Sequence, residues 1–275
     1  MKVKTVRSVT EYLYLINKLE NNDFNWFRGH THTSYQLEPT LYRNKKEVIT
    51  GIGDIKIRHY EVENEEIAIK EFKDKLQSKI ANYQYNDLDY LYLMQHNGID
   101  TRLLDFTSSP LIALFFSVAV TKEKKDPNNF KNIVSKNDDD EFDPNCSAVF
   151  CINPLKINLI SFNKEEVIDF KEKSLTELRN LPTPVCIEPT NIKIDKRLEI
   201  QKGKFVFFGS EVKQLDWYTE VRKNILKILI PDEERSEILK ELDSEFNINY
   251  STVYPDYEGL KKHINMKTKD NYLKL

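Results

Sequence analysis

Three separated stretches of this 275-residue chain carry side chains whose types and spacing could do chemistry. The first is Phe27-Arg28-Gly29-His30, an arginine at the end of an aromatic-rich run. A guanidinium projecting from a sheet rim can grip a phosphate through two parallel hydrogen bonds, and the glycine lets a ligand or another backbone come close. The second, residues 95–119 (QHNGIDTRLLDFTSSPLIALFFSVA), places His96, Arg102, Asp105, Thr107 and Ser108 around a polar turn between a strand and an apolar helix. Pro110 suits the first helical position and Ser109 the N-cap, so free backbone donors sit beside several hydroxyls, a place to hold an anion or a polar ligand. The third is Glu199-Ile200-Gln201, which reads as strand, with both polar side chains on one face.

Each candidate also has a plainer reading. Arg28 could form a buried structural bridge to Asp105 or Glu199. Arg102 and Asp105 could form a ligand-binding pair, but a salt bridge that locks the fold is the stronger reading for Arg102, because buried charges persist only when paired. Thr107, Ser108 and Ser109 could do no more than cap a helix. His30, His32 and His96 could cluster at a site, with His96 the favoured member. No cysteine pair joins them at ligand spacing, so a metal centre is not expected. No Gly-x-Ser-x-Gly elbow frames a serine nucleophile.

The elements that must position these residues follow from periodicity and capping signals. Residues 8–20 form an amphipathic helix with Ser8 as cap and Glu11 completing a capping box. Residues 24–30 form a strand, and 35–43 a surface loop closing on Arg43. Residues 57–82 are expected to be a long charged helix whose apolar stripe runs Ile67, Phe72, Leu76, Ile80. A second helix at 87–94 ends near Gly98 in the left-handed conformation. Residues 121–145, rich in lysine, asparagine and aspartate, read as a mobile surface insertion. Strands follow at 148–153 and, less clearly, 159–162. A helix is expected at 164–180, extended chain at 181–190, a strand through 197–208, a strand at 225–230, a capped helix at 232–246, then a terminal loop and helix. No repeat or linker interrupts this order, which indicates a single α+β domain, 1–275, with a mixed or antiparallel sheet flanked by helices.

Composition narrows the class. Hydrophobic content of 40% with 31% charged residues reads as a soluble globular protein, and a net charge of −3 gives no reason for non-specific nucleic-acid binding. The opening residues contain no long apolar run, so neither export nor a membrane span is indicated. Cys146, Cys151 and Cys186, an odd number without metal-ligand spacing, point to reduced thiols in a cytoplasm.

Taken together, Trp26-Phe27-Arg28-Gly29, residues 37–43 (LEPTLYR), 95–107 (QHNGIDTRLLDFT), 197–205 (RLEIQKGKF) and 253–260 (VYPDYEGL) resemble the FRG domain family, in the family's order and over residues 24–264. The family usually has an aromatic residue and a proline where this chain has Asn97 and Asp100, and a tryptophan at Phe106. Its frequent setting in bacterial mobile elements and phage defence implies a defence or toxin system with an antitoxin or other partner. A more distant resemblance is to the arginine–serine–glutamate class of ADP-ribosyltransferases, through Phe27-Arg28-Gly29, Phe106-Thr107-Ser108-Ser109 with Ala113 and Phe115, and Glu199-Ile200-Gln201. It implies an ADP-ribosyltransferase-like split sheet with NAD as substrate in the cleft, and transfer of ADP-ribose to a protein or nucleic acid. Arg28, Ser108, Glu199 and Gln201 would be catalytic. Arg28, Gly29, His30, His96, Arg102, Asp105, Thr107 and Ser108 would bind NAD. The transferases carry their catalytic glutamate where this chain has Gln201. That departure keeps open a second reading, a non-enzymatic module that senses a nucleotide or nucleic acid.

Overall fold

The structure is a computed structural model whose described backbone covers residues 1–43, 46–49, 55–58, 62–77, 85–119, 143–169, 174–189, 195–211 and 213–272. Along the chain come β1 (Lys2–Thr5), α1 (Val9–Glu20), β2 (Trp26–His30), α2 (Thr40–Arg43), β3 (Lys46–Ile49), β4 (Ile55–Arg58), α3 (Val62–Gln77) and α4 (Asp87–His96). Then follow β5 (Leu103–Thr107), α5 (Pro110–Val118), β6 (Cys146–Ile152), α6 (Pro154–Phe162), β7 (Ile168–Asp169), α7 (Leu175–Arg179) and β8 (Val185–Glu188). The remainder is α8 (Lys196–Ile200), β9 (Gly203–Phe207), α9 (Thr219–Arg222), β10 (Ile225–Pro231), α10 (Arg235–Phe246), α11 (Tyr250–Val253) and α12 (Tyr257–Tyr272).

Eight strands form one open sheet in the order β1-β10-β6-β2-β5-β9-β8-β7, while β3 and β4 pair separately. Pairs β1–β10 and β7–β8 are parallel and the others antiparallel, so the α+β fold with a mixed sheet stands. The centre of the sheet is its weakest seam. β2 pairs with β6 over five residues and β5 with β9 over five, but β2 meets β5 through one register pair, Phe27 opposite Thr107.

Strand alternation sorts the core into layers. Phe27, Val149, Cys151, Leu226, Ile228 and Ile230 face α1, α5 and α10. Under the other half, Leu103, Val185, Ile187, Phe205 and Phe207 face α3, α4 and α7. Phe27 and Thr107 are register partners, so these two clusters lie on the same side of the sheet, on either side of the seam. The opposite side carries Trp26, Leu104, Phe106, Ala148, Phe150, Ile152, Cys186 and Val206 against Leu37, Leu41, Ile157 and Leu215. The helix after the polar turn behaves as its composition predicts: α5 buries Ile112, Ala113, Leu114, Phe115 and Val118. All three cysteines are free and buried. No helix among the described residues is long and apolar enough to cross a membrane.

Several local expectations are corrected. Residues 35–43 are not a surface loop, because Leu37, Leu41 and Tyr42 are buried and α2 closes the segment. The long helix begins at Val62, and its buried face is set by Glu65 and Ile69, leaving Ile67 63% exposed; Ile80 lies outside the described residues. Residues 159–162 belong to α6, which starts at Pro154 with Asn153 Oδ1 accepting from the Lys156 N–H. The helix expected over 164–180 is the short β7 followed by α7. Glu11 does not close a capping box: Ser8 Oγ accepts from its N–H, but its carboxylate accepts from the N–H of Arg7. At the start of α10 no side chain of the preceding residue caps the helix. The expected insertion at 121–145 lies outside the described residues apart from 143–145.

Arg102 takes the fold-locking role. It is 1% exposed, with Nε and Nη2 donating to Glu65 Oε2 at 2.7 and 2.6 Å and Nη1 donating to the carbonyls of Phe208 and Gly209. Arg179 donates to the same Glu65 oxygen at 3.2 Å. This network fastens α3 over β5 and the end of β9, and leaves Arg102 no surface for a ligand. Glu65→Leu, which leaves the buried Arg102 guanidinium without its carboxylate, is expected to lower unfolding free energy by about 3 kcal/mol in urea titrations. Gly29→Ala should cost about 2 kcal/mol or more, since a Cβ there would stand 2.1 Å from the Ala113 carbonyl oxygen and 2.6 Å from the Ser117 nitrogen on α5.

Candidate functional site

Past the Phe27–Thr107 pair, β2 and β5 separate, and a cavity of about 770 Å³ opens there, within the size range of small-molecule sites. Its walls come from the β2 end (Arg28, Gly29, His30), the following loop (Tyr35, Glu38), the end of α2 (Arg43), the C-terminal half of α4 (Tyr92, Gln95, His96), β5 (Asp105, Phe106, Thr107) and the α8–β9 segment (Asp195, Arg197, Gln201, Gly203).

Arg28 is the centre of this arrangement. Its Nη1 donates to the Asp105 backbone carbonyl at 2.6 Å, across the gap where strand pairing has ceased, and stands 3.8 Å from the Asp105 carboxylate. Its Nε donates to His30 Nε2 at 2.9 Å. His30 must therefore be neutral, with its proton on Nδ1, which donates to the Tyr35 carbonyl at 3.2 Å. Burial is the main force holding His30 well below its ordinary 6.5, with repulsion from Arg28 and Arg43 adding to it. Burial likewise pulls the Arg28 guanidinium down to about 10, opposed by Asp105, so it stays charged at neutral pH. These bonds occupy two of the five guanidinium N–H groups and leave the rest for a ligand.

The opposite wall is equally determined. Gln95 Nε2 donates to Asp105 Oδ1 at 2.8 Å and to the Leu103 carbonyl, while its Oε1 accepts from the Thr101 hydroxyl, so the Asp105 carboxylate is held in place although 54% exposed. Asn86 and Asp89 form a capping box at the start of α4, and Gly98, at φ 77°, turns the chain out of it toward β5. His96 thus sits on the last turn, with Nδ1 2.9 Å from Asp195 Oδ1. Arg197 lies over the Tyr254 ring at 4.5 Å, and Arg43 donates from Nε and Nη2 to the Glu38 carbonyl.

Of the residues singled out from sequence, Arg28, Gly29, His30, His96, Asp105, Thr107 and Gln201 share this cavity, whereas Arg102, Ser108 and Glu199 are not among its lining residues. Several hold other jobs. Gly29 turns its bare α-carbon toward α5, so it serves close helix–strand packing. The Thr107 hydroxyl donates to the Gln201 carbonyl at 2.6 Å and accepts from the Ser109 N–H, while the Ser109 side chain, expected to cap α5, makes no cap bond. Ser108 donates its N–H to the Lys202 carbonyl. Glu199 and Gln201 are not alternating strand positions: Glu199 is exposed on α8, Gln201 is the C-cap, and its side-chain amide donates to the Val253 carbonyl at 3.1 Å. The corresponding expectation of a shared face is therefore wrong. Sequence reasoning passed over Glu38, Arg43, Gln95, Asp195 and Arg197. The first three and Arg197 lie inside the quoted motif blocks, so the signal was present but unassigned.

The His30 arrangement predicts a pH dependence. A depressed histidine contributes stability that is complete above its unfolded value of 6.5 and is lost as pH falls below it, at up to about 1.4 kcal/mol per pH unit. Urea melts between pH 7.5 and 5 should show a shallower loss for His30→Gln, whose amide oxygen can still accept from Arg28, than for the parent chain.

No curated protein and no solved structure matches the chain. A family model does: residues 24–126 match the FRG domain, the span that supplies the β2, α4 and β5 walls of the cavity, while Asp195, Arg197, Gln201 and Gly203 come from beyond it. Over that segment the chain is similar to the FRG domain.

Proposed function

We propose that the cavity binds NAD⁺ and that the protein transfers ADP-ribose from it to a macromolecular acceptor. One observation carries this reading: three arginines (Arg28, Arg43, Arg197) and three carboxylates (Glu38, Asp105, Asp195) line one aromatic-walled cavity. A pure phosphate site would be cationic throughout. NAD⁺ has an anionic pyrophosphate and a cationic pyridinium, and a wall of mixed sign suits both. Arg28 would take the pyrophosphate, and Tyr35 and Phe116 offer ring surface to a base. Asp105, oriented by Gln95, would stabilise the positive charge that builds at the ribose C1′, the task a glutamate at position 201 would otherwise perform. The FRG match, with the family's settings in bacterial defence and toxin systems, supports a macromolecular acceptor.

A second reading is favoured by a specific observation. The third motif block places no carboxylate in the cavity, because Glu199 faces away and the Gln201 amide is bonded to Val253. Under this reading the domain recognises the nucleotide and signals without chemistry. Calorimetric titration with NAD⁺ alongside a nicotinamide-release assay separates the two. Arg28→Ala is expected to weaken NAD⁺ binding about tenfold to hundredfold. Asp105→Asn should keep the affinity within a few-fold and slow release about a hundredfold. Binding without release for every acceptor tried, in both the parent and Gln201→Glu, selects the sensor, and no NAD⁺ binding overturns both readings.

A further inference from the structure

The cavity contains a pair whose second member lies outside the motif blocks. His96 Nδ1 lies 2.9 Å from Asp195 Oδ1, and both residues line the cavity. Asp195 is itself fixed, since the same oxygen accepts the backbone N–H groups of Arg197 and Leu198 at 2.8 and 3.0 Å at the start of α8. A carboxylate held in this way keeps the imidazole proton on Nδ1 and the lone pair on Nε2. The His96 side chain retains 32% of its exposure, so the ring is open to a group entering the cavity. A tie between α4 and α8 alone would not call for a titratable ring on a cavity wall. The charged groups that share the wall are Asp195 and Arg197 from the cap and first turn of α8, Asp105 from β5, Arg28 from β2, Glu38 from the loop after β2 and Arg43 from α2.

We propose that His96 is the general base that deprotonates the acceptor, with Asp195 as its positioning residue; the inference rests on the transferase reading of the cavity. His96 Nε2 removes the proton from an acceptor O–H or N–H as that oxygen or nitrogen forms a bond to the ribose C1′. The bond from C1′ to the nicotinamide nitrogen breaks, and its electron pair stays on that nitrogen, neutralising the pyridinium. His96 then releases the proton to solvent, and nothing is oxidised or reduced. The acceptor class follows from this role. A carboxylate is already ionised at neutral pH and needs no base, so the site takes a neutral hydroxyl or nitrogen nucleophile.

The test has an arm independent of turnover. Nitrogen-detected NMR of the ligand-free protein is expected to show His96 as the Nδ1–H tautomer. In Asp195→Ala, which removes the accepting oxygen at the cost of about 1 kcal/mol of helix capping, that bias should be lost. In kinetics, His96→Gln should bind NAD⁺ within about threefold of the parent, transfer about a hundredfold more slowly and lose the acidic limb of the pH–rate profile. Added imidazole should partly restore His96→Ala. The product should resist neutral hydroxylamine, which cleaves acyl-linked ADP-ribose. An Nε2–H tautomer in the parent, or a His96→Gln variant with unchanged rate and pH profile, overturns the proposal while leaving NAD⁺ binding intact. A hydroxylamine-labile product overturns the acceptor class. Failure of the parent chain to bind NAD⁺ removes the transferase reading beneath it.

Discussion

The Arg28 guanidinium spans the place where the central sheet comes apart, and the site depends on that one contact. A strand carbonyl facing a departing neighbour needs a donor, because an unsatisfied buried carbonyl costs roughly 1–3 kcal/mol. Asp105 obtains its donor from the Arg28 side chain in place of a β2 amide. The seam can therefore open into a cavity without leaving its edge unpaired. The same guanidinium carries charge into that opening, where partial desolvation strengthens its pull on an anion. His30 makes this workable by accepting from Nε as a neutral ring, which orients the arginine without adding a second buried charge.

An opening at the middle of a sheet is stable only if both halves are tied elsewhere. On one side, Gly29 lets α5 lie directly against β2, so the edge of the gap is backed by a buried helix. On the other, Arg102 and Glu65 clamp α3 to β5 and the end of β9. Between them, Thr107 holds the Gln201 carbonyl and Gln201 holds the Val253 carbonyl, a polar chain that runs from β5 through the end of α8 to α11. These are short-range bonds between distant segments. They explain why side chains with the look of ligand contacts, Thr107 and Gln201 among them, are partly spent on architecture.

The charges left facing the cavity alternate in sign. Arg28 is opposed by Asp105, and His96 by Asp195, while Arg197 rests on an aromatic face. Each is held by a backbone group or a neighbouring side chain, so little reorganisation is needed when a ligand arrives, which is what makes fixed charges effective in catalysis and recognition. A cavity of this kind discriminates by the arrangement of charge within a ligand more than by its total.

Much of the local structure was legible in the chain itself. Pro110 and the all-round apolar run after it dictate α5, Gly98 marks the exit from α4, and the largely apolar runs at 148–152 and 225–230 mark central strands. Arg28, His30, His96 and Asp105 could be named because polar groups beside glycine and turn signals have few other uses. Other features had no local signature. The five-residue α8 was merged with the following strand because one turn of helix has too little periodicity to read, and an Asp195 cap with a Thr107 contact stabilises it. The apolar stripe of α3 was misphased because its buried face is chosen by Arg102 and Arg179, which arrive from later in the chain. Arg43, Gln95, Asp195 and Arg197 carry charge or hydrogen-bonding capacity that sequence can count but not aim. Spacing along the chain determines backbone conformation through sterics and near-neighbour hydrogen bonds, and that much the sequence decided alone. Which charges are desolvated together, and across which gap, depends on neighbours up to more than a hundred residues away, and only the tertiary structure decided it.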